Sequence, residues 1–204
     1  MIHEIERLKE TDSNYWRIYG LGMRGLSQSV IFNEWQQMEV PERAKLVAVG
    51  LDWGFTNDPS AAVAVYKLDH SLYFDELLYS TGLTNPDLAR MLTDLIPDRA
   101  EIVADSAEPK SIEELHRSGF LIRPSKKGPD SIRLGIDVMK RHKLHATPRS
   151  INLIKELRNY KWKLDKNERQ LNQPVDSMNH AIDAVRYVCL NKLTKSHAGT
   201  YHIR

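Results

Sequence analysis

Apolar residues run almost unbroken through KLVAVGLDW, residues 45–53, the pattern of a strand buried on both faces. SAAVAVYKL and SLYFDELLY follow as two further strand-length runs, separated by Asp69-His70, a polar pair that fits the tip of a short hairpin. Strands one to three therefore read as an antiparallel meander. From residue 84 the period changes. TNPDLARMLTDLI places Leu88, Met91, Leu92 and Leu95 at helical spacing, with Thr84 or Asn85 as cap and Pro86 near the first position. AEIVADS is then a short strand, EPKSIEELHRSG a helix closed by Gly119, and FLIRPS another strand. DSIRLGIDVMKRH predicts a helix with Ile132, Ile136 and Met139 on one face. KLHAT, a helix from Pro148 to about Asn159, YKWKL with Trp162 on its core side, and a last helix from about Ser177 to Leu193 complete the alternation.

A meander followed by strand–helix units gives a mixed α/β sheet flanked by helices on both faces. That order is the ribonuclease H-like one. Because crossovers are right-handed, the strand after the first helix can return parallel to strand one, and the two C-terminal ends then become neighbours. Residues 41–195 read as this one domain. Residues 1–40, with scattered aromatics and glycines ahead of Pro41, read as an N-terminal arm, and residues 196–204 as a disordered tail.

Composition narrows the classes. The single cysteine, Cys189, permits no internal disulfide and fits a reducing compartment, and no apolar stretch approaches the roughly 20 residues that span a bilayer. A membrane partner is not expected. The net charge of +2 conceals a division along the chain: residues 117–169 carry +10 and the remainder −8. Clustered Lys and Arg suit a polyphosphate partner, whose condensed counterions they displace. The sharpest concentration is RPSKKGPDSIR, where Arg123, Lys126, Lys127 and Arg133 flank a Gly-Pro loop suited to a phosphate backbone.

The chemistry resides in carboxylates at strand ends. The first strand stops on Asp52 and the fourth on Asp105; taken singly, each is an ordinary turn or cap residue, but together they place two like charges side by side. A hard divalent cation such as Mg²⁺ or Mn²⁺ relieves that repulsion and keeps positions open for phosphate. In DSMNHAIDAVRYV, Asp176, His180 and Asp183 recur at i, i+4 and i+7 of the predicted last helix, opposite Met178, Ile182, Val185 and Cys189. Asp58 reads first as turn chemistry before Pro59, and Asp176 or Ser177 as the helix cap. Two ions about 3.5–4 Å apart hydrolyse phosphodiesters in line, which joins the acidic set to the basic segment.

At these residues the chain resembles the nuclease domain of the large terminase subunit of tailed bacteriophages, over about residues 15–190. YWRIYGLGMRG…IFNEW resembles the connector after the packaging ATPase, GLDWGFTNDPSA the first metal-binding strand, IVADSAEPKSIEEL the second, SKKGPDSIRLGI the basic loop and helix, and DSMNHAIDAVRY the terminal helix. The resemblance implies an endonuclease that cuts double-stranded concatemeric viral DNA during genome packaging in the host cytoplasm. It implies Asp52, Asp105 and Asp183 as the acidic triad and His180 as an accessory ligand. No GxxxxGK[ST] occurs, so the ATP-hydrolysing motor is expected off this chain, with residues 1–40 as the connector from it. The portal and the small terminase subunit are partners implied for the whole protein, which also takes ATP. VGLDWGFTN is also similar to the phosphate loop of actin-like ATPases and sugar kinases, but the second such loop and the adenosine glycines of that class are not found. A catalytically silent DNA-binding or portal-binding module is the third reading.

Overall fold

The computed structural model describes residues 29–97, 99–167 and 169–194, together with Trp16 and Gly20. Most of the 1–40 arm and the whole 196–204 tail lie outside the described residues. The strands are β1 (Trp35–Gln37), β2 (Lys45–Asp52), β3 (Ser60–Leu68), β4 (Ser71–Ser80), β5 (Ile102–Ala104), β6 (Ile122–Pro124), β7 (Lys143–Ala146), β8 (Trp162–Leu164) and β9 (Gln170–Pro174). The helices are α1 (Asn85–Leu95), α2 (Pro109–Arg117), α3 (Ser131–Lys140), α4 (Ile151–Asn159) and α5 (His180–Lys192).

Seven strands form one sheet in the order β1-β7-β4-β3-β2-β5-β6, and β8-β9 is a separate antiparallel pair. β2, β3 and β4 pair antiparallel as the meander, while β5 returns parallel to β2 with Leu51 opposite Ala104. β6 extends that edge in parallel, and β7 lies parallel to the far side of β4. The alternation of side chains divides two cores. Ala48 of β2 and Val63 of β3 face α3, α4 and α5, whereas Val49, Leu51, Ala62 and Ala64 pack with Leu88 and Leu92 of α1 and Leu115 of α2. The fold is thus a mixed sheet with helices on both faces. Among the described residues no helix is long and apolar enough to cross a membrane.

Local chemistry accounts for the element ends. Thr84 caps α1 with a capping box, its hydroxyl accepting from the Asp87 N–H while Asp87 accepts from the Thr84 N–H. Gly119, at φ +98, follows α2 in the left-handed conformation that closes a helix. Gly50 lies where α5 crosses β2. A Cβ there would collide with the Ala184 carbonyl, so glycine permits the helix to approach the strand backbone.

The structure departs from the sequence expectations at several places. β1 joins the sheet beside β7, and Ile31 and Phe32 enter the core, within a stretch whose irregular pattern predicts no strand. A three-residue edge strand is too short to carry a period. The last helix begins at His180, not Ser177, and its cap is Asn179. Met178 adopts φ +51 and is exposed instead of facing the core, so Asp176 precedes the helix and does not share its face. Ile132 is likewise exposed while Ile136 and Met139 are buried, because the core takes only the inner turn of α3. The helix expected from Pro148 starts at Ile151.

Candidate active site

Parallel pairing of β2 and β5 sets Asp52 and Asp105 at one edge of the sheet. The register is fixed by the Asp105 N–H, which donates to the Leu51 carbonyl at 2.9 Å. The approach at Gly50 then brings the first two turns of α5 against Asp52. A cleft of about 340 Å³ results, lined by Asp52, Asp105, Asp176, His180, Asp183 and Tyr187 among others. Three carboxylates from three elements, plus Asp176 from the loop before α5, therefore face one space.

Asp52, Asp105 and Asp183 are each held by a donor. Asp52 Oδ2 lies 3.0 Å from His180 Nδ1, and its Oδ1 lies 3.1 Å from the Tyr187 hydroxyl. The same hydroxyl is 3.0 Å from Asp105 Oδ2. Lys127 pairs with Asp105 Oδ1, and its ammonium stands 5.3 Å from the Tyr187 ring centre. Asp183 pairs with Arg186 Nε at 3.0 Å and receives the Asn179 amide at 3.4 Å. Asp58, exposed on the β2–β3 loop, is 3.7 Å from His180 Nε2.

The electrostatics differ between the two strand-end carboxylates. Burial pushes the Asp52 carboxyl above its usual range, and the charge of Asp183 adds to that push against the opposing bonds from His180 and Tyr187. Burial acts on Asp105 in the same sense, but the Lys127 ammonium, the Ala107 N–H and the Tyr187 hydroxyl together hold it below. The hydrogen bond to Asp52 raises His180 against its own desolvation. One phenolic proton between two carboxylates leaves one of them without a donor on that side. A cation satisfies both.

Among the described residues no three His, Cys, Asp or Glu side chains already form an ion-holding set. Lys127 and Arg186 occupy carboxylate oxygens in the cleft instead. The donor chemistry nevertheless fits a hard divalent ion: carboxylate oxygens, like-charge pressure on Asp52, and one imidazole beside them.

A buried carboxylate behind the cleft supports α5. Glu156 of α4, 1% exposed, accepts the Ile182 N–H at 2.9 Å and the Tyr79 hydroxyl at 2.9 Å. It thereby satisfies a free donor in the first turn of α5, where negative charge also complements the helix dipole. Burial pushes its carboxyl up to about 7, against the pull of the Ile182 and Ala181 N–H groups and of Tyr79.

The predicted basic set divides. Lys127 enters the cleft, while Lys126 and Arg133 are exposed beside it, on the loop before α3 and in its first turn. Arg123 pairs with Glu101 at 3.5 Å, toward the end of β5 opposite Asp105. Trp162 is half-buried against the core, as the alternation of YKWKL predicts.

The family described as "Terminase RNAseH like domain" matches residues 52–190, a span opening on Asp52 and closing beyond Tyr187. The chain belongs to this family. It is 27% identical over 197 residues to the PBSX phage terminase large subunit of Bacillus subtilis (strain 168), covering 91% of this chain and 46% of that protein. It is 32% identical over 145 residues to the terminase large subunit of Bacillus phage SPP1, covering 68% of this chain and 34% of the relative. The chain thus spans less than half the length of these curated relatives. The crystal structure of the SPP1 large terminase nuclease domain with bound Mn superposes with a TM-score of 0.68 at 29% identity, over 77% of this chain and 96% of that one. The terminase family membership replaces the actin-like reading of VGLDWGFTN, and the ribonuclease H-like fold is shared with these nuclease domains.

Sequence reasoning missed Tyr187, Arg186 and Glu156. The first two recur at i+4 and i+3 from Asp183, so the helical spacing that singled out His180 could have gathered them too. Tyr187 reads as a core aromatic in sequence, and it is buried; only the fold reveals that its hydroxyl ends between two carboxylates. Glu156 carries no local signal.

Proposed function

We propose that this terminase nuclease domain is a metal-dependent endonuclease that cuts double-stranded concatemeric viral DNA during genome packaging. The observation that carries the reading is the convergence of Asp52, Asp105 and Asp183, from two parallel strand ends and one helix, on a single cleft. Asp52, Asp105 and Asp183 would hold Mg²⁺ or Mn²⁺, as two ions, with His180 alongside. Manganese bound in the SPP1 nuclease domain supports the choice of metal. When bound, such ions supply Lewis acidity toward the phosphodiester and the attacking water.

The chain's own residues do the rest. His180 orients Asp52 through its Nδ1 contact, and Arg186 fixes Asp183 from a position only 2% exposed. Glu156 holds the first turn of α5, hence both His180 and Asp183. Lys126 and Arg133, whose ammonium and guanidinium form no ion pair or hydrogen bond among the described residues, neutralise phosphates flanking the cut, while Lys127 pairs with Asp105 inside the cleft. None of these groups reads a base edge, so cleavage is largely independent of sequence. The portal, the small terminase subunit and ATP are partners of the large subunit as a whole, acting in the host cytoplasm.

Supercoiled plasmid incubated with the protein tests the reading. Nicking and linearisation in Mn²⁺ or Mg²⁺, abolished by EDTA and by Asp183→Asn, are expected; DNA that is bound but never cut would identify a catalytically silent module instead.

A further inference from the structure

Beside the catalytic cleft, and sharing Trp53 and Asp105 with it, runs a second groove of about 690 Å³ between the β2–β3 loop and the starts of α1 and α2. Its chemistry is unlike that of the cleft. The cleft contains Lys127 and Arg186, whereas among the described residues no Lys or Arg lines the groove, and Asp58 and Glu108 do. A phosphate is therefore disfavoured there. The groove instead presents an aromatic ring with uncharged hydrogen-bonding groups: Phe55 is 60% exposed, and the exposed side chains of Thr56 and Asn57 form no hydrogen bond within the described structure.

That exposure belongs to a built loop. Gly54 is fixed at both backbone groups by the buried Ser60 hydroxyl, which accepts from its N–H at 3.1 Å and donates to its carbonyl at 3.0 Å. A Cβ on Gly54 would collide with the Asp58 carbonyl, so the turn is closed tightly on itself. The Phe55 carbonyl accepts the Gly82 N–H at 2.6 Å, and the Trp53 indole donates to the Asp105 carbonyl at 3.0 Å. The backbone is thus anchored on both sides while the Phe55 ring is held out into water. A single exposed apolar ring is ordinary on a protein surface, but this one lines a groove that adjoins the cleft.

We infer that this groove is a nucleobase subsite, in which Phe55 stacks on a base of the strand being cut while Thr56 and Asn57 hydrogen-bond to its sugar. The inference rests on the nuclease reading. It gives the cleft two unlike lips: a cationic one, from Lys126 to Arg133, that takes the phosphates on one side of the cut, and an aromatic and amide one that takes a base on the other. A ring stacks on any base, so the subsite strengthens binding without reading sequence, and it favours steps where a base leaves its stack easily.

Salt dependence separates the two lips. Stacking releases no counterions, whereas each lost phosphate contact reduces the salt slope. Binding is measured on a short duplex containing 2-aminopurine, in an Asp183→Asn background so that the DNA stays intact. Phe55→Ala should weaken binding about 5- to 100-fold with an unchanged salt slope, and should abolish the rise in 2-aminopurine fluorescence expected when the base leaves its duplex stack for the Phe55 ring. Phe55→Tyr should restore both. Lys126→Ala should instead lower the magnitude of the slope and keep the fluorescence rise. Unchanged affinity and an unchanged fluorescence rise in Phe55→Ala would overturn the subsite, as would a loss confined to the salt slope. If the unsubstituted chain neither binds nor cuts DNA, the nuclease reading itself has failed; if it does both and only Phe55→Ala is without effect, the subsite alone has.

Discussion

Tyr187 is placed where one proton serves Asp52 and Asp105 at once. Its ring is buried, so removing the hydroxyl alone keeps the packing. Tyr187→Phe is expected to cost about 1–3 kcal/mol in denaturant unfolding without metal, and much less in saturating Mn²⁺, which supplies the missing positive charge. An equal loss in both conditions would make the hydroxyl a purely structural donor. Glu156 gives a pH test. Its folded value of about 7 lies above the 4.5 of an exposed glutamate, so the protonated form contributes stability that is complete below about pH 4.5 and lost as pH rises through 7. Thermal midpoints of the unsubstituted chain should fall relative to Glu156→Gln across that window; a constant difference would place the proton elsewhere. Asp52 and Asp105 were legible in the sequence because each ends an apolar run. Tyr187 and Glu156 were not, because a buried aromatic and a lone acid on an amphipathic helix have the same local pattern whether they pack inertly or support a site.

At the scale of elements, the site depends on how closely α5 approaches β2. Gly50 sets that distance, since any side chain there meets the Ala184 carbonyl. Gly50→Ala should destabilise the fold by about 1–3 kcal/mol and reduce cleavage by more than the unfolded fraction accounts for, because Asp183 and His180 move away from Asp52. Cleavage proportional to the folded fraction would show that the helix position is not limiting. The meander, the parallel return of β5 and the crossing helices all followed from hydrophobic period and strand length. The start of α5 did not: Asp176 and Ser177 are favourable caps by residue type, yet the left-handed turn at Met178 delays the helix to His180. That delay moved Asp176 from the helix face to a loop that still lines the cleft.

For the molecule as a whole, the +10 segment and the acidic remainder meet at the cleft, where Lys127 touches Asp105. Replacing exposed Lys126 or Arg133 with alanine should lower the magnitude of the salt slope of DNA binding by about 1 each, with little change in fold stability; an unchanged slope would place the DNA elsewhere. Arg123 should contribute less, being engaged with Glu101 away from the cleft. On the proposed reading Asp52, Asp105 and Asp183 act together as one metal site. The most direct measurement is anomalous diffraction from crystals grown or soaked in Mn²⁺. A peak bounded by all three carboxylates, and absent in Asp105→Asn, is the predicted result; manganese bound elsewhere, with the Lys127–Asp105 and Arg186–Asp183 pairs intact, would contradict it.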